Sequence, residues 1–281
     1  MTSWIPAGPA ILFAPADRPE RFAKAAERAD MVILDLEDGA RPENRAAARQ
    51  AIIDAGESGE LDPQRTIVRI NPPETPDYEL DLQYVKKSTF TQVMLPKAEA
   101  AADVAALGEL GLQVIALIET PRGVLNAAEI AAADVTVALF WGAEDLTAGL
   151  GGTASRFAEG EANAGTYRDV PRFARAQVQL AAAAYGKAAL DSVHVDIADE
   201  TGLRAEALDA AALGYAATCC IHPKQVGTIR EAYQPTEAQI DWATRLLAEA
   251  EKNAGAFSFE GQMVDAPLFR QAEVIARRAG R

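Results

Sequence analysis

Charged side chains stand where the apolar segments of this sequence end. The run Met31–Asp38 (MVILDLED) closes on Asp35, Glu37 and Asp38, and Thr66–Asn71 (TIVRIN) on Arg69 and Asn71. Gln92–Lys97 (QVMLPK) ends on Lys97, Gln113–Glu119 (QVIALIE) on Glu119, and Val135–Gly142 (VTVALFWG) leads into Glu144 and Asp145. Asp191–Ile197 (DSVHVDI) holds His194 and Asp196, and Ala216–Pro223 (AATCCIHP) ends near His222. Carboxylates gathered from separate segments, with few cations among them, form the donor set of a hard cation. Magnesium takes oxygen ligands, keeps several waters, and typically uses one or two carboxylates plus the substrate. Glu119 and Asp145, at the ends of consecutive runs, suit that job; ion pairing is the alternative for each, and helix capping for Asp145. Arg69 inside an apolar run is either a charge compensating nearby carboxylates or a fixed donor for a developing oxyanion. Glu37 and Asp38 could orient metal-bound water, do acid–base work, or form salt bridges. Lys97 reads as an ion-pair partner before an anion contact, His194 as a satisfied core histidine, His222 as structural beside the turn at Pro223, and Cys219 and Cys220 as packing residues. With two histidines in the chain, a His-rich zinc site is not expected.

The elements that must position these groups follow from periodicity. With Ala10–Ala16 (AILFAPA), eight runs are continuous rather than alternating and rich in Val, Ile and Leu, as parallel strands buried on both faces are. Segments of helical spacing lie between them, among them Pro19–Ala29, Asn44–Ala55, Ala98–Leu110, Gly123–Ala132, Pro171–Gly186 and Glu200–Leu213. Strands alternating with helices predict an α/β fold, a (β/α)8 TIM barrel over residues 1–233, in which the loops after the strands carry the site. A doubly wound open sheet is the rival, but a G-x-G-x-x-G turn after the first strand is missing. Residues 234–281, with a helix over Pro235–Asn253 and a tail from Gly255, form a C-terminal helical extension beyond what the barrel requires. The glycine-rich stretch Ala148–Arg168 has the length of a functional or mobile loop. Its GLGG at Gly149–Gly152 lacks the lysine-serine ending of a phosphate loop. At the first strand–helix junction, Arg18, Arg21 and Lys24 cluster in APADRPERFAKA, where a basic helix start could bind phosphate or simply be a solvated face.

Composition narrows the partners. The 281 residues carry a net charge of −14, so nucleic acid and anionic membrane gain no basic footprint, while a small anion needs only a local positive cluster. No apolar run approaches the roughly 18 residues of a membrane span. The start lacks a basic region and is broken by Pro6, Gly8 and Pro9, so no secretory signal is read. Adjacent cysteines rarely bridge, which fits a reducing cytoplasm.

Taken in order, FAPADRPERFAKA, VILDLEDG, VRIN, MLPKAE, ALIETPRGV, WGAEDL, CIHPKQ and GQMVDAP resemble the citrate lyase β-subunit-like family, grouped with the HpcH/HpaI aldolases and the malyl-CoA and citramalyl-CoA lyases. The resemblance runs from about Ala10 to Pro267 and is carried by the ordered set rather than by any single piece. It implies a (β/α)8 barrel assembled as a homotrimer or a dimer of trimers, and a lyase that makes or breaks a carbon–carbon bond in a 3-hydroxy-carboxyacyl-CoA. Citramalyl-CoA, malyl-CoA and hydroxymethylglutaryl-CoA are the expected kinds of substrate, with acetyl-CoA and an oxo acid as products. It further implies that Glu119 and Asp145 bind Mg2+, with Glu119 also at the substrate, and that Arg69 contacts the acyl oxygen. Glu37 and Asp38 lie beside the metal waters, the Arg18–Lys24 segment meets the coenzyme A phosphates, and Asp265 is an acid–base group donated across the trimer interface. Many relatives have a Pro-Gly turn followed by a basic residue where this chain has ADRPER, so the resemblance implies the acyl-CoA class rather than the individual coenzyme A contacts. Two other readings stay open: an aldolase acting on free oxo acids without coenzyme A, and a non-catalytic subunit that works only with partners.

Overall fold

The computed structural model describes residues 4–253 and 255–280 and divides into two compact units, Met1–Ile229 and Arg230–Arg281. In the first, eight parallel strands close into a barrel in sequence order: β1 (Ala10–Pro15), β2 (Met31–Asp35), β3 (Thr66–Arg69), β4 (Gln92–Leu95), β5 (Gln113–Ile118), β6 (Thr136–Trp141), β7 (Ala188–Asp191) and β8 (Ala217–Cys220). The helices between them are α1 (Phe22–Arg28), α2 (Arg45–Glu57), α3 (Pro76–Val85), α4 (Ala101–Gly108), α5 (Pro121–Leu125), α6 (Ala127–Ala132), α7 (Ala143–Gly149), α8 (Asp169–Ala184) and α9 (Glu200–Leu213). α10 (Gln225–Tyr233) spans the boundary between the units. Among the described residues, no helix is long and apolar enough to cross a membrane.

Successive side chains on a strand face opposite ways, so one parity fills a barrel's interior. Ile11, Ile33, Ile67, Met94, Ile115, Leu117, Phe140, Leu190 and Cys219 belong to one buried cluster. On β2, β3 and β5 this parity runs on to Asp35, Arg69 and Glu119. The residues that build the core therefore also fix which polar groups enter the mouth of the barrel.

One strand departs from expectation. The apolar run DSVHVDI predicts strand seven over Asp191–Ile197, but β7 is Ala188–Asp191, paired through Leu190 with Phe140 and with Ala217. Val195 and Ile197 are exposed, so the run beyond Asp191 marks no buried strand. Strand pairing ends where the buried Asp191 carboxylate takes two hydrogen bonds from Arg175, each 2.9 Å, and one from Trp141 Nε1 at 2.7 Å. His194 and Asp196 consequently lie in the loop after β7 rather than within it.

The second unit contains α11 (Glu237–Ala250), a hairpin of β9 (Phe257–Phe259) and β10 (Gln262–Val264), and α12 (Ala266–Arg278). Thr236 and Gln239 form a capping box that starts α11. Ala243, Leu246, Val264 and Ala272 make its small core, with the Phe257 and Phe269 rings stacked 5.7 Å apart.

Candidate active site

Asp35 and Arg69 are Cα partners in the β2–β3 register, so strand pairing alone brings them side by side. Arg69 donates from Nε to Asp35 Oδ1 at 2.7 Å and from Nη2 to Oδ2 at 2.5 Å, a two-pronged bond between two buried groups. Burial works against the guanidinium charge, but Asp35, Glu37 and Glu119 outweigh it and hold Arg69 charged. Its third nitrogen, Nη1, lies 2.9 Å from Glu37 Oε2 but out of line for a hydrogen bond, and that oxygen has no hydrogen-bond partner. Nη1 thus feels attraction without spending its donors, and can meet an oxyanion. The Phe13 ring lies 5.0 Å from the guanidinium carbon.

Lys97 is the second cation. Its ammonium donates to Glu37 Oε1 at 2.6 Å and stands 3.7 Å from both Glu119 Oε1 and Asp145 Oδ1. Its backbone N–H donates to Glu119 Oε1 at 3.1 Å. Asp145 sits in the first turn of α7, whose N-cap is Gly142. Burial, followed by the charges of Asp145 and Glu37, pushes the Glu119 carboxyl up to about 8. Burial also raises Glu37, against the pull of Arg69 and Lys97. With Asp38 at 3.9 Å from Arg69, five carboxyl groups share two cations.

That imbalance suits a dication. The donors at Glu119 and Asp145 are all oxygen, and burial with the neighbouring carboxylates outweighs Lys97 and Arg69 in raising Glu119. Among the described residues no three His, Cys, Asp or Glu side chains form a ready-made cage. A cation that takes one or two carboxylates and completes its shell with water and substrate needs none.

Glycines make room for these carboxylates. A Cβ on Gly39 would meet Asp35 Oδ2 at 2.5 Å, and one on Gly142 would meet Glu119 Cβ and Oε2 at 2.9 Å. They are the glycines of LEDG and WGAED, whose function in those motifs is space.

A cavity of about 330 Å³ lies at the mouth of the barrel. Phe13, Leu117, Phe140, Val193 and Ile221 form its apolar wall, and Arg69, Glu119, Asp145, Glu144 and Ser192 its polar groups. Pro15, Asp38 and Gly39 also border a neighbouring hollow of about 630 Å³, lined by Arg18, Arg21, Arg41 and Arg45 together with Asp17 and Glu37. Arg45 is fixed by Asp77 Oδ2 at 2.6 Å and the Glu37 carbonyl at 3.2 Å. Lys24 is not among the residues bordering this hollow.

The structure thus brings together Asp35, Glu37, Asp38, Arg69, Lys97, Glu119 and Asp145. Arg41 and Arg45 are not among the expected site residues, and Asp35, expected at the end of its run without a role of its own, has the parity of Ile33. Asp265 belongs to the second unit, where it is exposed at the N-cap of α12 and its side chain makes no capping bond. His194 is buried and paired through Nδ1 with Glu206 Oε2 at 2.9 Å, as a structural histidine would be. His222 Nδ1 accepts from its neighbour Lys224 N. GLGG closes α7: the N–H groups of Leu150, Gly151 and Gly152 bond the carbonyls of Leu146, Ala148 and Thr147, leaving no phosphate loop.

The sequence model of the HpcH/HpaI aldolase/citrate lyase family matches residues 10–223. A citrate lyase subunit beta-like protein of Mycobacterium tuberculosis is 54% identical over 274 residues, covering 98% of this chain and 96% of that protein. An L-malyl-CoA/beta-methylmalyl-CoA lyase of Rhodobacter capsulatus is 34% identical over 296 residues, covering 95% of this chain and 93% of that one. Among solved structures, protein CitE from M. tuberculosis in complex with magnesium, acetoacetate and coenzyme A matches with a TM-score of 0.90 at 54% identity, covering 98% of this chain and 99% of that chain.

Proposed function

Because this chain belongs to the HpcH/HpaI aldolase/citrate lyase family and is a carbon–carbon lyase of it, we propose that its substrate is a 3-hydroxy-carboxyacyl-CoA, cleaved to acetyl-CoA and an oxo acid with Mg2+. The observation that carries this reading is the Arg69–Asp35 fork beside Glu119 and Asp145, in a cavity that adjoins an arginine-lined hollow. The magnesium and coenzyme A named with the M. tuberculosis structure fit the carboxylate pair and the basic hollow.

Glu119 and Asp145 would hold the metal, which when bound supplies positive charge to the substrate carboxylate and hydroxyl. Asp38, more exposed than Glu37 and bordering both hollows, accepts the hydroxyl proton. As the carbon–carbon bond breaks, its electron pair passes to the acetyl-CoA enolate and the former hydroxyl carbon becomes a carbonyl. Arg69 Nη1, with donors unspent, stabilises the enolate oxygen. Glu37, locked between Arg69 and Lys97, orients both. The Asp265 carboxyl of a neighbouring copy in a homotrimer or dimer of trimers, in its acid form, gives a proton to the enolate carbon while the proton on Asp38 passes to solvent; its exposed side chain, not used to cap α12, suits that role. Arg18 and Arg21, with Arg41 and Arg45, meet the coenzyme A phosphates. A cytoplasmic setting fits the buried thiols of Cys219 and Cys220.

The test is turnover by the purified chain alone of citramalyl-CoA, malyl-CoA and hydroxymethylglutaryl-CoA, with and without a chelator, alongside free hydroxy-oxo acids. We expect magnesium-dependent acetyl-CoA release from at least one thioester. Cleavage of the free acids only would favour the aldolase reading, and restoration by added partner proteins the subunit reading.

A further inference from the structure

The Lys97 backbone has φ 52°, a left-handed conformation that a side chain with a Cβ rarely adopts. Among the described residues only Asn163 and Glu260 share it outside glycine. Strained backbone at a cluster of charges points to a constraint that the surroundings enforce. Here the constraint is visible. It turns the Lys97 N–H onto Glu119 Oε1 at 3.1 Å while the side chain carries the ammonium to within 3.7 Å of that same oxygen. The ammonium also lies 3.7 Å from Asp145 Oδ1, so it stands against the two carboxylates to which the metal is assigned above. Its shortest contact is elsewhere, at 2.6 Å to Glu37 Oε1.

Resting on that metal reading, we propose that Lys97 is a positioning residue: its ammonium is the counter-ion of Glu119 and Asp145 until a divalent cation arrives, and Glu37 retains it afterwards. A single positive charge at 3.7 Å from two carboxylates keeps them from repelling one another, yet yields to a double charge at closer range. The ammonium is not stranded when it yields, because its bond to Glu37 remains. The N–H bond to Glu119 does not depend on where the ammonium sits, so the left-handed backbone keeps that carboxylate aimed in both states. Metal affinity is then set partly by competition with the protein's own lysine.

Calorimetric titration of Mg2+ and Mn2+ into the substrate-free chain tests this. Lys97→Met removes the competitor and should tighten binding about fivefold or more. Glu37→Gln removes the group that retains the ammonium and should weaken binding several-fold; in a Lys97→Met background most of that loss should vanish. A lysine that served only the fold would not give effects of opposite sign. Unchanged or weaker binding in Lys97→Met overturns the proposal, as does an equal Glu37→Gln loss in both backgrounds. Should Lys97→Met fail to fold by circular dichroism, Lys97→Gly, which accepts the left-handed backbone, carries the same expectation and the same overturning result. If the native chain binds neither cation, the metal reading itself falls and takes this proposal with it.

Discussion

At the residue scale, the polar groups of the site are coupled in pairs. Arg69 and Asp35 are both buried, so removing one strands the other. Arg69→Ala should cost roughly 3–5 kcal/mol of stability in denaturant titrations, less when Asp35→Asn accompanies it. Arg69→Lys keeps a charge but not the planar fork. It should lower kcat by about two to three orders of magnitude, in the range of a lost oxyanion donor, with a far smaller loss of stability. Near-normal turnover in Arg69→Lys would remove the oxyanion role. Gly142 acts on the same scale, since a Cβ there presses on Glu119. Gly142→Ala should weaken divalent cation binding about tenfold by calorimetry, as the loss of a ligand's support does. Unaltered affinity would mean that Glu119 is not a ligand or moves freely.

Elements hold the rim together. The glycine-rich segment after α7 is pinned rather than loose at its base: Arg156 bonds Glu206 on α9 at 3.0 and 3.1 Å and lies 4.0 Å from the centre of the Tyr167 ring. Glu206 also meets His194 Nδ1, and Gln225 on α10 donates to the His194 carbonyl at 2.8 Å. Glu206 on α9 and His194 in the loop after β7 thus tie together the segment after α7 and the start of α10. Burial pulls the His194 imidazole down, but the hydrogen bond and charge of Glu206, aided by Asp199, raise it above its ordinary value despite Arg156. A raised histidine adds stability that is full below about pH 6.5 and is lost as pH rises through the higher folded value. Unfolding free energy should therefore fall with pH above about 6.5, and His194→Gln should flatten that slope. An identical slope in the variant would assign the pH dependence to other groups. The expectation of strand seven over Asp191–Ile197 fails at this scale, because an apolar run records side-chain chemistry but not where a partner strand stops.

For the whole molecule, the question is whether one chain completes a site. If Asp265 works in a neighbouring copy, mixing Asp265→Ala with Arg69→Lys chains should restore activity that neither has alone. Recovery should approach a defined fraction of native turnover as subunits exchange. No recovery despite exchange shown by mass spectrometry would confine catalysis to groups of a single barrel.

Much of this protein was legible in its sequence. Continuous apolar runs alternating with helical segments implied the barrel, because buried parallel strands and crossover helices leave distinct periods in the chain. Polar residues at the ends of those runs marked Arg69, Glu119 and Asp145, since a charge is retained beside a core only where something compensates it. Tertiary structure alone decided the pairing: that Asp35 faces Arg69 across the β2–β3 register, that Lys97 bends left-handed to reach three carboxylates, and that Arg41 and Arg45 join Arg18 and Arg21 while Lys24 does not. Distances of a few ångströms between residues tens of positions apart are set by register, closure and backbone conformation, and no local pattern encodes them.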